Sequence, residues 1–224
     1  MGLARAGCYR GLAVGPIPCR LAPALVLDCV AKSLLKSFLR GLSLLAVFPC
    51  AAASAFGRSE FLYTLFTHIY AMAPGIPGDY LRIAFYRLTL DACAWSSRVS
   101  FGSFFAHSQA SLGRNVYVGC YCVIGKAVIG DRTQIASGVQ ILSGAHQHSR
   151  NEAGGISGAE EDKFRTVTIG ADCWIGAAAI IMADVGSGAT IGAGSVVSRP
   201  IAPGSVAVGS PAKVIRTASS GQED

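Results

Sequence analysis

The sequence predicts a mainly β solenoid of short stacked coils preceded by a helical module. Three observations predict it: an aliphatic residue followed by a small one recurs every six positions after Leu90; the apolar spacing before Leu90 is helical; and the 27 glycines in 224 residues mostly follow aliphatic residues without a collagen-like period of three. With 51% hydrophobic and 14% charged residues, the chain is too apolar for disorder and implies apolar surface that meets a partner. Its formal net charge of +6 suits anionic partners such as phosphates or acidic lipid headgroups. The basic residues are scattered and form no nucleic-acid tract. Eight cysteines (Cys8, Cys19, Cys29, Cys50, Cys93, Cys120, Cys122 and Cys173) form no CxxC pair, so they read as reduced thiols serving as small apolar residues in a cytoplasmic setting.

Residues 1–20, rich in Gly and Pro without apolar period, read as a flexible arm. Residues 21–90 read as a helical module. Leu35, Phe38, Leu39 and Leu42 share one helical face, while Lys32, Lys36 and Arg40 fall four apart on another. The uncharged stretch Gly41 to Gly57 is interrupted by Pro49 and falls short of the ~20 residues a spanning helix needs, so the expectation is an interfacial and not a transmembrane segment. Leu62, Leu65, Phe66 and Ile69 repeat the helical spacing, Pro74-Gly75 and Pro77-Gly78 signal turns, and Asp79 is expected to cap a last helix through Leu88.

The repeat fills residues 91–216, and 217–224 form a tail. Leu112-Gly113, Val118-Gly119 and Ile124-Gly125 set the period, Ile129-Gly130 arrives one residue early, and Ile135 and Ile141 follow. After an interruption the rule resumes at Ile169-Gly170 and Ile175-Gly176, then shifts register at Val185-Gly186 before Ile191-Gly192 and Val197. A triangular coil turns a corner about every six residues, stacking the aliphatic side chain inward, and the small residue after it is expected to permit the turn. Residues 144–166 fit no hexad and read as a loop thrown out from the coil.

Ile169-Gly-Ala-Asp-Cys-Trp-Ile-Gly176, Ile191-Gly-Ala-Gly-Ser-Val-Val197 and Gly209-Ser-Pro-Ala-Lys-Val-Ile-Arg216 together resemble the hexapeptide-repeat acetyltransferases, in the maltose, galactoside and xenobiotic acetyltransferase branch. The stretch from Tyr80 to Leu90 into the first coils is similar to colanic-acid-type polysaccharide O-acetyltransferases. The resemblance implies a left-handed parallel β-helix, acetyl-CoA or another acyl-CoA as donor, no metal, and a homotrimer. It also implies a hydroxyl of a sugar or lipid-linked glycan as acceptor, while the basic and apolar faces of residues 21–90 carry the separate expectation of peripheral contact with the inner face of the cytoplasmic membrane. On the family's pattern the histidine where the first run of repeats stops is the general base. That is His146, with His148 its rival one residue of slack away. The resemblance also places Trp174, Ala177, Ala193, Ser198, Arg199, Lys213 and Arg216 along the donor groove, the last two as cations for its phosphates. Tyr121 stands where maltose-type relatives present an amide to the sugar, a departure that fits either stacking on a sugar or a packed tyrosine.

Two other classes compete with acyl transfer. A zinc enzyme of the γ-carbonic anhydrase kind would draw on His107, His146 and His148, and a non-catalytic solenoid would serve as a binding module.

Overall fold

The computed structural model describes residues 22–144, 155 and 164–217. Residues Arg40–Asp224 form one compact unit, and the residues up to Leu39 form another, helical over its described part. Helix α1 runs Ala22–Ala53, continuous through Pro49, so the expected interruption there does not occur. Its Ala31–Ala53 segment has the length and apolar composition to cross a membrane. A short turn leads to α2 (Glu60–Ala71) and then α3 (Gly75–Thr89). Pro74 is the N-cap of α3, which places Asp79 inside the helix instead of at its cap.

Beyond Leu90 the chain winds into a parallel β-helix with three faces. The first face stacks Ala92–Cys93, Ser111–Leu112, Ala127–Ile129 and Val167–Ile169. The second stacks Arg98–Val99, Tyr117–Val118, Gln134–Ile135, Trp174–Ile175, Thr190–Ile191 and Val206–Val208. The third stacks Phe104–Phe105, Val123–Ile124, Gln140–Ile141, Ile180–Ile181 and Val196–Val197. The last residue of most of these pairs points inward: Val118, Ile124, Ile135, Ile141, Ile175 and Ile181 are fully buried in one column of side chains. At the far end Ala212 donates to the Val196 carbonyl, and Lys213–Arg216 turns back antiparallel on the second face.

The small residue behind each aliphatic one proves necessary for a reason other than the turn. A Cβ on Gly130 would lie 2.4 Å from the Ala171 nitrogen, and one on Gly170 would lie 2.4 Å from that of Ser187, so the next coil's backbone occupies that space. The turns are made two positions later, where Tyr121 (φ 57°), Arg132 (φ 59°), Asp172 (φ 58°) and Ala178 (φ 56°) hold left-handed conformations alongside Gly138 and Gly194.

The helices close the open end of the solenoid, where the first coil presents carbonyls with no further coil to accept from. Arg87 donates to the Cys93 carbonyl at 2.8 Å, Arg40 to that of Trp95 at 3.4 Å, Arg82 Nε to that of Val99 at 2.7 Å, and the Tyr63 hydroxyl to that of Phe105 at 3.1 Å. Arg40 also lies over the Trp95 ring, 5.6 Å from its centroid. It therefore does not complete the basic face expected from Lys32, Lys36 and Arg40. Arg82 is fully buried; its Nη1 also donates to the Tyr70, Ala71 and Ala73 carbonyls at the end of α2, and its Nη2 pairs with Asp79 at 2.5 Å. Asp79 in turn holds Arg98 at 2.7 Å.

Arg82→Met should lower stability by about 3 kcal/mol, because it leaves the Val99 and Ala73 carbonyls without a donor, removes a second donor from those of Tyr70 and Ala71, and takes from Asp79 its buried partner. Chemical denaturation followed by circular dichroism measures it, and a loss below about 1 kcal/mol would show that Arg82 is dispensable to the cap.

Candidate functional site

The three corners of the coil differ in chemistry. From first to second face and from second to third, successive inward residues always stand six apart, as in Ile129, Ile135 and Ile141 or Ile169, Ile175 and Ile181. From third face back to first the spacing varies: Phe105 to Leu112, Ile124 to Ile129, Ile181 to Val185, and Ile141 to Ile169 across the insertion. Every irregularity in the repeat therefore lies on one edge.

The insertion leaves that edge after Gly144 and rejoins it before Val167. Its root is tied: the Arg165 amide donates to the Ser143 carbonyl at 2.9 Å, the Lys126 amide donates to Ser143 Oγ at 2.9 Å, and the Val167 amide donates to the Lys126 carbonyl at 3.0 Å. The Arg165 guanidinium pairs with Asp184 on the next coil. Phe164 packs against His107, with centroids 5.1 Å apart, and under Lys126 Nζ at 5.3 Å. His146 and His148 lie outside the described residues; the structure fixes the edge from which their segment departs.

The second corner forms a column of neutral residues that are small above Phe101. Phe101, Cys120, Ser137, Ala177 and Ala193 follow one another up it, linked by amides of Tyr121, Gly138, Ala178 and Gly194 to the carbonyl of the coil below at 2.8–3.1 Å. Tyr121, Ala177 and Ala193, selected from sequence for acceptor and donor, thus share one edge. Tyr121 is 62% exposed, with its ring over Gly102 and edge-on to Phe101 at 5.7 Å. Trp174 points outward from the adjoining second face and is 57% exposed, while Lys213 and Arg216 sit on the returning strand of that face. Ser198 and Arg199 are exposed on the opposite, third corner. A single chain therefore brings Trp174, Ala177, Ala193, Lys213 and Arg216 to one side and leaves Ser198 and Arg199 across the third face.

The first corner carries a charged ladder that the sequence reading missed. Arg114 grips Asp131 at 2.7 Å and Arg132 grips Asp172 at 2.6 Å, each across one coil step. The Arg114 amide and guanidinium hold the Asp131 carboxyl below its ordinary value, and the Arg132 guanidinium does the same to Asp172. Six-residue spacing with a carboxylate and a guanidinium at matching positions is the signal that finds it. Among the described residues, no cluster of three or more His, Cys, Asp or Glu side chains is placed to hold a metal.

Hydroxyls and thiols under the corners join coil to coil. Ser103 Oγ donates to the Gly119 carbonyl and accepts from the Cys122 amide, Thr133 Oγ1 donates to that of Gly170, and the Cys122 and Cys173 thiols donate to those of Ala136 and Gly186 at 3.1 and 3.2 Å. Burial pushes the Cys122 and Cys173 thiols above their ordinary values and Cys93 up to about 12.

Residues 166–199 match the profile of the hexapeptide repeat of succinyl-transferase. A Staphylococcus aureus (strain MRSA252) protein provisionally named an acetyltransferase is 37% identical over 116 residues, covering 48% of this chain and 55% of that protein. The chain thus spans about half the length of the curated relatives it matches. Among solved structures, a maltose O-acetyltransferase from Clostridium difficile 630 superimposes with a TM-score of 0.57 at 24% identity, over 75% of this chain and 90% of the other. A galactoside acetyltransferase in complex with coenzyme A gives 0.52 at 21% identity, over 71% and 81%. At these identities the likeness establishes the shared fold.

Cys93, Cys122 and Cys173 should resist alkylation by iodoacetamide at pH 8 in the folded chain, whereas half-buried Cys120 is modified. Peptide mass spectrometry before and after denaturation reads this out; modification of Cys122 as fast as Cys120 would contradict the buried ladder.

Proposed function

We propose that the chain is a hexapeptide-repeat acetyltransferase and that it transfers an acyl group, acetyl foremost, from acyl-CoA to a hydroxyl of a sugar or surface-polysaccharide precursor. The observation that carries this reading is the insertion at residues 144–166, which bears His146 and springs from the one irregular edge of an otherwise regular solenoid.

In the proposed reaction the neutral form of the His146 imidazole takes the proton from the acceptor hydroxyl. The oxygen attacks the thioester carbonyl, the tetrahedral intermediate collapses with cleavage of the carbon–sulfur bond, and the imidazolium returns its proton to the departing thiolate. The donor's fit is supported by the smooth column of Ser137, Ala177 and Ala193. Its small side chains leave backbone amides and carbonyls close to the surface for a slender pantetheine arm, Trp174 beside them offers an apolar cover, and Lys213 and Arg216 offer charge for phosphates. Tyr121, lower on the same edge, is proposed to meet the acceptor. Ser198 and Arg199 stand on the other corner and would complete a groove only against a second copy of the chain, which supports a homotrimer with each groove between two solenoids.

The proposed place of work is the inner face of the cytoplasmic membrane, where a CoA donor in solution meets a lipid-linked glycan. Support comes from apolar side chains that the helices turn outward: Leu42, Leu45 and Phe48 of α1, and Phe61, Leu65 and Ile69 of α2, are 45–79% exposed. An exposed stripe repeated at helical spacing is what an interfacial helix needs.

His146→Ala should lower transfer about 10²- to 10⁴-fold while leaving acetyl-CoA affinity near wild type, because the base acts in the transition state. His148→Ala should cost less; the reverse order in steady-state kinetics would make His148 the base. The intact chain should float with anionic liposomes, and Leu42/Leu45/Phe48→Gln should remain at the bottom of the gradient. Equal flotation of both would remove the support for membrane placement.

A further inference from the structure

A polar cleft of about 140 Å³ lies on the third corner of the first two coils, beside the turn that precedes α2. Arg58, Glu60, His107, Ser108, Gln109 and Lys126 supply its polar lining. Two cations against one carboxylate make its balance positive. Its volume is far below the roughly 300–1,000 Å³ of a pocket for a whole small molecule and suits a small anionic group.

Its position links it to the proposed chemistry. Lys126, on its wall, bridges both ends of the insertion: its amide binds Ser143 where the insertion leaves, and its carbonyl binds Val167 where the chain rejoins. Phe164, inside the root of the insertion, packs between Lys126 and His107. The opposite wall is held stiffly. Ala55 (φ 48°) and Phe56 (φ 55°) are consecutive left-handed residues without being glycine, and Gly57 (φ 89°) is packed so tightly that a Cβ there would lie 2.5 Å from the Thr89 carbonyl oxygen. Arg58 follows directly, so its backbone is fixed over the cleft.

We infer that this cleft receives a phosphate group of the acceptor, placing the attached sugar at the root of the insertion that bears His146. The inference rests on the acyl-transfer reading for its purpose, though the anion site can be tested without it. A nucleoside diphosphate-sugar and a lipid diphosphate-sugar present the same diphosphate, and that shared group is what Arg58 and Lys126 would hold.

Calorimetric titration of the full chain with inorganic pyrophosphate should show saturable binding. Arg58→Glu should weaken it by about tenfold or more, with Lys126→Gln also weaker and Arg58→Lys largely restored. Acetyl-CoA binding should be the same in all four proteins. Competition by UDP would identify a nucleotide-linked acceptor, and competition by a short prenyl diphosphate a lipid-linked one. No saturable binding by the wild type, undiminished binding in Arg58→Glu, or competition by neither diphosphate overturns the inference. Pyrophosphate binding in a wild type that neither binds acetyl-CoA nor turns it over would instead refute the acyl-transfer reading and leave the anion site standing.

Discussion

The fold depends on how the first coil ends. Inside a parallel β-helix every coil satisfies its backbone groups against the coils on either side, but the first has carbonyls with no neighbour, and each left unpaired in a buried setting costs free energy. The chain answers with side chains. Three arginines and a tyrosine, from all three helices, reach the carbonyls of Cys93, Trp95, Val99 and Phe105, one donor for each. A guanidinium suits this task because its five donors can serve several acceptors at once, and Arg82 binds the end of α2 and the first coil together. Residues 40–90 are therefore structurally inseparable from the solenoid, in keeping with the compact unit that begins at Arg40.

That requirement explains why α1 is turned opposite to the usual amphipathic helix. Its buried side carries Ser43, Val47 and Ala51, with Arg40 half-buried beside Trp95, while Leu42, Leu45 and Phe48 face outward. Capping an edge of carbonyls calls for donors and small residues that permit close approach. The larger apolar side chains are left outside. Sequence periodicity located the apolar stripe of this helix correctly but could not tell which stripe is buried, because the deciding partner, the Trp95 carbonyl, is 55 positions away.

Much of the solenoid was legible because one physical rule, an inward aliphatic residue at each corner, repeats in every coil. The deletion before Ile129 and the shift at Val185 looked like separate lapses in the sequence, yet both fall on the third corner together with the insertion. Two corners must keep six residues so that their strands stay in register with the coils above and below, whereas the third can vary in length. The role of the glycines was harder to read. Gly130 and Gly170 make way for the neighbouring coil, and contacts between coils 17 or more residues apart leave no mark within a single repeat. Arg114–Asp131 and Arg132–Asp172 escaped notice for the same reason.

The unequal corners bear on where chemistry can be built. On the first, guanidinium and carboxylate neutralise each other across successive coils, leaving little charge to recruit a ligand. On the second, the absence of large side chains except Tyr121 and Phe101 exposes backbone and shapes a track without supplying a catalytic group. Only the third tolerates added residues, and there the insertion root, Lys126, His107 and the Arg58 turn converge. A regular coil has no place for a side chain that must reach beyond its own surface. In the proposed reaction the base must approach a donor lying along the solenoid and an acceptor arriving from outside it, so it must stand on the segment that leaves the coil. Regular stacking fixes where that segment starts, and the tie from Arg165 to Ser143 keeps its two ends together.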